Sequence, residues 1–162
     1  RTDEYGGSFE NRTRLLLQIV TEVRAILPTG FPLFVRLSAT DWTEGGWTID
    51  DSVALAGLLK NHGVDLIDCS SGSLAKPSAI PVGPGYQVPF AEAIKSKTGI
   101  LTGAVGMITE AHQASEIIES EQADLILIAR ESLRDPYFPL RAAHELGIDV
   151  TYPVQYERSK RK

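Results

Sequence analysis

The residues best suited to chemistry stand at the ends of apolar runs in this sequence. Four runs finish in small or polar residues, and they read FVRLS at 34–38, LIDCS at 66–70, ILTGA at 100–104 and LILIAR at 125–130. Buried parallel strands have this composition, and the polar groups that follow them gather at one edge of the sheet. The repeated pattern predicts a single site built from several strand ends.

Arg36 is unusual because it lies inside its apolar run. A permanent charge at such a position costs free energy unless an anion or a strong hydrogen-bond acceptor meets it. The sequence alone does not decide between two possible partners for the Arg36 guanidinium. One is a structural ion pair with Asp68 on the neighbouring strand, and the other is a ligand at the strand end.

Small residues at two of the strand ends leave backbone N–H groups accessible. They are the GAVG segment at 103–106 and Ala129, which precedes Arg130. The last two strand–helix loops of many barrels hold a phosphate with such groups. A close-packed turn without a ligand is the alternative, but a guanidinium beside free amides favours a phosphate site.

Cys69, Ser70 and Ser71, which follow Asp68, are candidate nucleophiles by residue type, but no histidine stands near them in the sequence. The histidines, His62, His112 and His144, fall on predicted helices or helix ends rather than at strand ends. A Ser–His or Cys–His pair is therefore not predicted. The sequence also lacks the ligand spacing of a metal site, so no metal is expected.

The elements that position these strand ends follow from the hydrophobic spacing. Apolar residues at three- and four-residue intervals predict helices, and the short apolar runs between them predict strands. The first helix is predicted to begin near Phe9 with Ser8 as its cap, and Ile117 and Ile118 are predicted to face the core. The predicted helices cover about 9–27, 49–62, 90–98, 111–120 and 136–146, and the strands begin near 33, 65, 100 and 125.

This alternation predicts a parallel α/β fold with about four strands and five helices. An eight-stranded TIM barrel typically needs about 250 residues, so four units correspond to a half-barrel. An open doubly wound sheet is the rival arrangement, but polar strand ends that repeat fit a ring of convergent loops better. We expect the half-barrel to cover residues 1–150 and a carboxyl-terminal tail to cover 151–162.

Two long connections are predicted on the side of the strand ends. The loop 41–47 contains two tryptophans, so it either lies over a ligand or packs down on its own domain. The connection 70–85 is rich in proline and glycine, including Pro77, and is predicted to be a second large loop.

Composition narrows the class of protein. The chain has 162 residues, 43% of them hydrophobic, which is enough for one domain with a core. A net charge of −5 argues weakly against nucleic acid as a partner, and the basic end 160–162 is read as a solvated tail. The single cysteine and the lack of a signal peptide or a long apolar run predict a cytoplasmic location.

The chain opens at Arg1 and contains one methionine, so it is expected to be a piece of a longer protein.

Several motifs resemble those of the Old Yellow Enzyme family, in particular its bacterial-type branch of FMN-dependent ene-reductases and xenobiotic reductases. The resemblance covers nearly the whole chain. Its motifs are RTDEYGGSFENR at 1–12, FVRLSATDW at 34–42, GVDLIDCSSG at 63–72, GPGYQVPFAEAI at 83–94, TGAVGMIT at 102–109, ADLILIARESLRDP at 123–136 and PVQYER at 153–158.

The resemblance implies roles for particular residues. Arg36 matches the arginine beside the N1 and O2 atoms of FMN, where it would stabilise negative charge on the reduced ring. Ala104 and Val105 match amides that face the FMN phosphate. Ala129 and Arg130 match a glycine–arginine pair on the same phosphate. In addition, Arg158 matches an arginine that the tail presents to the active site of a neighbouring subunit, where it binds substrate.

The family's other site residues have no counterpart in this sequence. By the resemblance the chain begins after the fourth strand, so the flavin-contacting glutamine, the histidine pair that holds the substrate and the tyrosine that donates a proton are missing. No catalytic residue is therefore assigned here. The expected function is the reduction of activated C=C bonds with FMN and with NADPH or NADH as hydride donor, by a chain that is inactive alone.

Two other functions remain open from the sequence. One is a half-barrel that binds flavin or another phosphate compound without turnover, and the other is a structural remnant that associates with itself. The expected partners are a small-molecule alkene and either further copies of the chain or the missing amino-terminal half-barrel. Neither nucleic acid nor a membrane is an expected partner.

Overall fold

Four parallel strands lie side by side in the order in which they occur in the sequence. In the computed structural model of the protein, which describes residues 1–72 and 79–160, the strands are β1 (Phe34–Ser38), β2 (Leu66–Ser70), β3 (Leu101–Ala104) and β4 (Leu125–Ile126). The sheet order is β1-β2-β3-β4, and each neighbouring pair is parallel. A doubly wound sheet reverses its strand order at a switch point. The unreversed order confirms the predicted half-barrel and not its rival.

Helices alternate with these strands. They are α1 (Phe9–Ile26), α2 (Ile49–Asn61), α3 (Val88–Thr98), α4 (Ala111–Glu119), α5 (Arg130–Arg134) and α6 (Phe138–Glu145), and a 3-10 helix (Val154–Ser159) follows them. Five helices were predicted, and the short α5 is the additional one. It forms immediately after the fourth strand, where the sequence suggested only a turn toward Pro136. The last long helix accordingly begins at Phe138 rather than at Pro136.

The helix boundaries follow from local hydrogen bonds. The Ser8 side chain accepts a hydrogen bond from the Asn11 N–H, as its predicted role as cap of α1 requires. At α2, Thr48 and Asp51 form a capping box, in which each side chain accepts from the other residue's backbone N–H. At the end of α3, Gly99 has φ 62°, a left-handed conformation that favours glycine.

The two faces of the sheet have different environments. Side chains alternate across a strand, and the register places Val35, Ile67 and Thr102 in one row. This row faces the helices, and all three residues are buried. The adjacent strand positions Phe34 and Leu101 point to the opposite face, where 52% and 53% of their surface remains exposed. The core of the described structure therefore lies between the sheet and the helices.

Two sequence expectations are wrong in detail. The fourth strand contains only Leu125 and Ile126, although the apolar run continues to Ile128. It is short because β3, its pairing partner, ends at Ala104 and no strand of the described chain pairs with its other edge. Ile118 is 39% exposed rather than directed to the core, whereas Ile117 is buried as expected. Successive helical residues point about 100° apart, so both could not face the sheet.

No helix in the described part of the chain combines the length and the apolar character that crossing a membrane requires. The cytoplasmic location stays a prediction. Pro77 lies outside the described residues, so its place in the predicted loop is not tested.

The open edges of β1 and β4 and the exposed sheet face predict self-association of this chain. Unpaired strand edges and exposed apolar surface both favour contact with another chain. We expect the wild-type chain to sediment as dimers or larger species at micromolar concentration. Leu101→Lys, on the exposed face, should shift the population toward monomer in analytical ultracentrifugation.

Ile26→Lys provides the matched control, because Ile26 is 81% exposed at the end of α1 and away from the sheet face. This variant should sediment like the wild type. A wild-type chain that remains monomeric across the whole concentration range would contradict the prediction.

Candidate functional site

A cavity of about 410 Å³ lies at the carboxyl ends of the four strands. Each strand end contributes to its walls, and the segment before α3 completes them. The lining residues that carry the argument are Arg36, Ser71, Gln87, Val105, Ala129 and Arg130. The structure therefore brings four of the predicted site residues, Arg36, Val105, Ala129 and Arg130, around one cavity.

Arg36 is held in place by two side chains of β2. Its Nη1 donates to Asp68 Oδ2 at 2.7 Å, and its Nη2 donates to Ser70 Oγ at 3.2 Å. The ion pair that the sequence left open is therefore present. The Arg36 side chain is nevertheless 56% exposed and lines the cavity. The ion pair and a ligand contact are thus compatible, because the ion pair fixes the guanidinium without enclosing it.

Asp68 is the less satisfied member of this pair. Its Oδ1 is buried and has no hydrogen-bond partner within residues 1–72 and 79–160. An unsatisfied buried carboxylate oxygen costs free energy, which the contact of Oδ2 with Arg36 offsets in part. The main effect of the ion pair is therefore to position Arg36 rather than to stabilise the fold.

Backbone N–H groups are available at the ends of β3 and β4. Gly106 has φ 125°, which L side chains rarely adopt. The N–H groups of Gly106 and Ala129 make no hydrogen bond within the part of the chain that the structure describes. Both residues line the cavity. These donors match the pattern by which small residues at strand ends hold an anion.

The charges around the cavity favour an anionic ligand. The charge of Arg36 is balanced by Asp68, and Arg134 donates to Glu131 at 3.3 Å. Arg130 makes no ion pair with any residue among those described. Its positive charge is therefore left for a ligand, beside the free amide of Ala129.

Two predicted site residues lie outside the cavity lining. Ala104 is a fully buried residue of β3, directly before Val105. Arg158 is an exposed residue of the 3-10 helix in the tail. The tail itself packs near α6, where the rings of Tyr156 and Tyr137 lie 6.0 Å apart. Both roles implied by the resemblance stay predictions.

The candidate nucleophiles are placed as the sequence analysis expected. His62 ends α2, with its Nδ1 3.3 Å from Thr21 Oγ1, and the other two histidines lie on α4 and α6. Cys69 is fully buried in the core. Burial raises the pKa of its thiol to about 12, and the nearby charge of Asp68 contributes. The thiol is therefore protonated and unreactive near neutral pH. Within the described residues, no group of side chains could hold a metal ion.

The loop 41–47 packs on its own domain, which is one of the two alternatives left open by its sequence. The Trp47 ring stacks on Phe9 with centroids 6.0 Å apart, and its Nε1 donates to Ser52 Oγ at 2.6 Å. The Trp42 ring meets Phe90 edge-on at 5.5 Å. Both tryptophans thus stabilise the loop rather than project over the cavity.

Sequence analysis missed Tyr86 and Gln87 and considered Ser71 only as a candidate nucleophile, although all three line the cavity. Ser71 falls in the segment 70–85, which was interpreted as a long connection, and Tyr86 and Gln87 fall in the interval before the next predicted helix. One feature of the sequence could have indicated them. The connection after the second strand lies on the side of the strand ends, where loop residues often contribute to functional sites. Nothing in its composition distinguished Gln87 from a polar surface residue.

Comparison with known proteins gives the family context. Residues 1–148 match the model of the NADH:flavin oxidoreductase / NADH oxidase family. The chain is 54% identical over 159 residues to an NADPH dehydrogenase of Halalkalibacterium halodurans, and the match covers 98% of this chain and 46% of that protein. An NADPH dehydrogenase of Bacillus subtilis is 53% identical over 158 residues, with the same coverage of 98% and 46%. The chain therefore spans about half the length of these relatives.

Solved structures show the same architecture. A histamine dehydrogenase from Rhizobium sp. 4-9 superposes with a TM-score of 0.73 at 25% identity, over 91% of this chain and 21% of that one. An enolase from Bradyrhizobium superposes with a TM-score of 0.52 at 13% identity, over 95% of this chain and 37% of that one. The second similarity concerns the fold alone.

The buried thiol of Cys69 predicts a specific loss of stability at alkaline pH. An unfolded cysteine ionises near pH 9, whereas the pKa of the folded thiol is about 12. The unfolded state therefore releases a proton that the native state keeps. We expect the free energy of unfolding to fall by about 1.4 kcal/mol per pH unit as the pH rises above 9.

Urea denaturation from pH 7.5 to 10.5 measures this slope, and Cys69→Ala provides the control. Other groups titrate in both proteins, so the difference between the two curves isolates the thiol. The wild-type curve should fall more steeply by the expected amount. Parallel curves would show that the Cys69 thiol ionises equally in the folded and unfolded states.

Proposed function

Because this chain belongs to the NADH:flavin oxidoreductase / NADH oxidase family, we propose that its cavity is part of the FMN site of an NAD(P)H oxidoreductase that reduces activated C=C bonds. One observation supports the site more than any other. Arg36, Val105, Ala129 and Arg130 come from three different strands or strand ends and line a single cavity. The substrate class rests on the sequence resemblance to ene-reductases.

The donor set of the cavity fits FMN. One end offers the uncompensated charge of Arg130 and the free N–H groups of Ala129 and Gly106, which suit a phosphate. The other end offers Arg36 on β1. Neighbouring strands lie about 4.8 Å apart, so β1 and β4 are separated by about 14 Å along the sheet. An extended ligand with an anionic end and a polar ring suits that separation.

FMN held at such a site would supply hydride transfer between a reduced nicotinamide and the substrate alkene. The residues of this chain have supporting tasks. Arg130 and the strand-end amides bind and orient the phosphate. Arg36 presents a guanidinium whose direction is fixed by Asp68 and Ser70. A preorganised cation stabilises negative charge without a cost for reorientation when that charge develops.

No residue of this chain is assigned to proton delivery or to substrate anchoring in the chain's own cavity. Its histidines lie on helices or at a helix end, and Cys69 is buried and protonated. We therefore propose that the isolated chain binds the cofactor without catalysing turnover, and that activity needs a further chain segment. The exposed edges of the sheet offer a place for that segment to pair.

A binding half-barrel without catalytic purpose is the second candidate function. One observation favours it. The residues proposed to contact the phosphate all belong to the described chain itself. A bound flavin absorbance band that NADPH does not bleach, even after an upstream segment is supplied, would support this reading. Complementation by an upstream segment that restores bleaching would support the oxidoreductase.

Arg130→Ala is predicted to weaken FMN binding much more than riboflavin binding. Losing a charge-assisted contact to a phosphate should cost about 2 to 4 kcal/mol of binding free energy. Riboflavin lacks the phosphate and should be almost unaffected. Fluorescence titration of the purified chain with both compounds measures the difference.

Arg158→Ala is the matched control for this titration, because Arg158 is an exposed arginine outside the cavity. It should bind both compounds as the wild type does. Equal weakening of FMN and riboflavin by Arg130→Ala would mean that Arg130 supports the fold rather than the phosphate.

Arg158 itself is proposed to bind substrate in a neighbouring subunit. It is exposed on the tail and lies outside its own chain's cavity, so it has access to another subunit. In a complete, active enzyme, Arg158→Ala should raise KM without changing the FMN content. Mixing with flavin-free subunits that retain Arg158 should restore part of the activity. Unaltered kinetics of Arg158→Ala would exclude this role.

A further inference from the structure

Gln87 connects two loops that line the cavity. It precedes α3 and is only 4% exposed, which is unusual for a glutamine. Its Oε1 accepts a hydrogen bond from Ser71 Oγ at 2.6 Å, and its Nε2 donates to the Val105 carbonyl at 3.1 Å. Ser71 follows β2, and Val105 follows β3. One buried side chain thus joins the ends of two neighbouring strands.

The backbone beside Gln87 contacts the same turn. The Gly85 N–H donates to the Gly106 carbonyl at 2.9 Å. A Cβ atom on Gly106 would lie 3.0 Å from Gln87 Nε2 and 3.2 Å from the Tyr86 ring. Gly106 therefore has neither the φ angle nor the space for a side chain. The shape of the turn after β3 depends on segment 85–87.

The bond to the Val105 carbonyl also fixes the direction of an N–H group. Val105 and Gly106 share one peptide unit, which is planar, with its C=O and N–H pointing to opposite sides when it is trans. No cis peptide bond occurs in the described chain. Holding the carbonyl toward Gln87 therefore directs the Gly106 N–H away from Gln87. This N–H is the one that makes no hydrogen bond within the described residues.

We propose that Gln87 is a positioning residue for anion binding at this cavity, acting through the peptide unit of Val105 and Gly106. The inference rests on the proposed FMN site and adds a residue that sequence and composition did not indicate. By holding the carbonyl, Gln87 keeps the Gly106 N–H directed for the phosphate before the ligand arrives. Binding then requires no reordering of the turn.

Two variants separate this role from simple packing. Gln87→Met keeps the length and the apolar stem of the side chain but removes both hydrogen bonds. Gln87→Glu keeps an acceptor for Ser71 but places a carboxylate against the Val105 carbonyl at neutral pH. When the introduced carboxyl group is protonated, it again donates one hydrogen bond. Gln122→Met is the control, since Gln122 bonds to Ser120 and Glu92 and does not line the cavity.

The first measurement is the affinity of each purified chain for FMN and for riboflavin. Gln87→Met should lose about tenfold or more in affinity for FMN, the scale of one charge-assisted hydrogen bond. Its riboflavin affinity and both affinities of Gln122→Met should stay within about threefold of the wild type. Equal losses for FMN and riboflavin would overturn the positioning role.

The second measurement needs no ligand. Hydrogen exchange of a peptide covering residues 103–109 should be about tenfold faster in Gln87→Met than in the wild type, while a peptide from α3 should be unchanged. Unchanged exchange at 103–109 would overturn the proposal whatever the flavin data show. A wild-type chain that binds no FMN would overturn the proposed function instead, and exchange alone would then decide whether Gln87 orders the turn.

A pH comparison covers the case in which Gln87→Met does not fold. The FMN affinity of Gln87→Glu, expressed relative to the wild type at the same pH, should be low at pH 8 and should recover toward pH 5 as the introduced carboxyl group gains a proton. A relative affinity that does not change with pH would contradict the proposed contact with Val105.

Discussion

The parallel register of the four strands is the constraint on which the rest of this structure depends. It places Arg36, Asp68 and Gly103 in one row across β1, β2 and β3. Arg36 and Asp68 are therefore neighbours whose charges meet at 2.7 Å. An added Cβ at Gly103 would lie 2.5 Å from Leu127 Cδ1, so the Leu127 side chain would have to move. The same register brings all four carboxyl ends to one edge, where the cavity forms.

The two faces of the sheet give this fold its asymmetry. On the helix side, Ile67, Cys69 and Ala104 are completely buried. On the other side, Phe34, Leu101 and Leu125 keep between 42% and 53% of their surface exposed. A closed barrel fills such an interior with layers of side chains. The curated relatives that the chain matches are about twice its length.

Contacts between loops, more than the strands themselves, define the cavity wall. β3 and β4 end within a few residues of the turns that carry the free amides. The turn after β3 is held by Gln87 and by the backbone of Gly85. The loop 41–47, which does not line the cavity, is held in the same way through its tryptophans on Phe9 and Phe90. Each loop is thus fixed by a partner distant in sequence, so the site and the fold form together.

The sequence by itself determined the fold class and the edge of the sheet at which the candidate site lies. Hydrophobic spacing and capping residues such as Ser8 are local signals, and parallel strands must bring their ends to one edge. The motifs also identified the family, which the comparisons confirm. The tertiary structure alone decided matters that depend on distant partners. In the folded chain β4 is short because β3 ends at Ala104, and the charge of Arg36 is paired with that of Asp68. Folding also buries Gln87 between two loops, where only the folded chain brings Ser71 and Val105 within reach of one side chain.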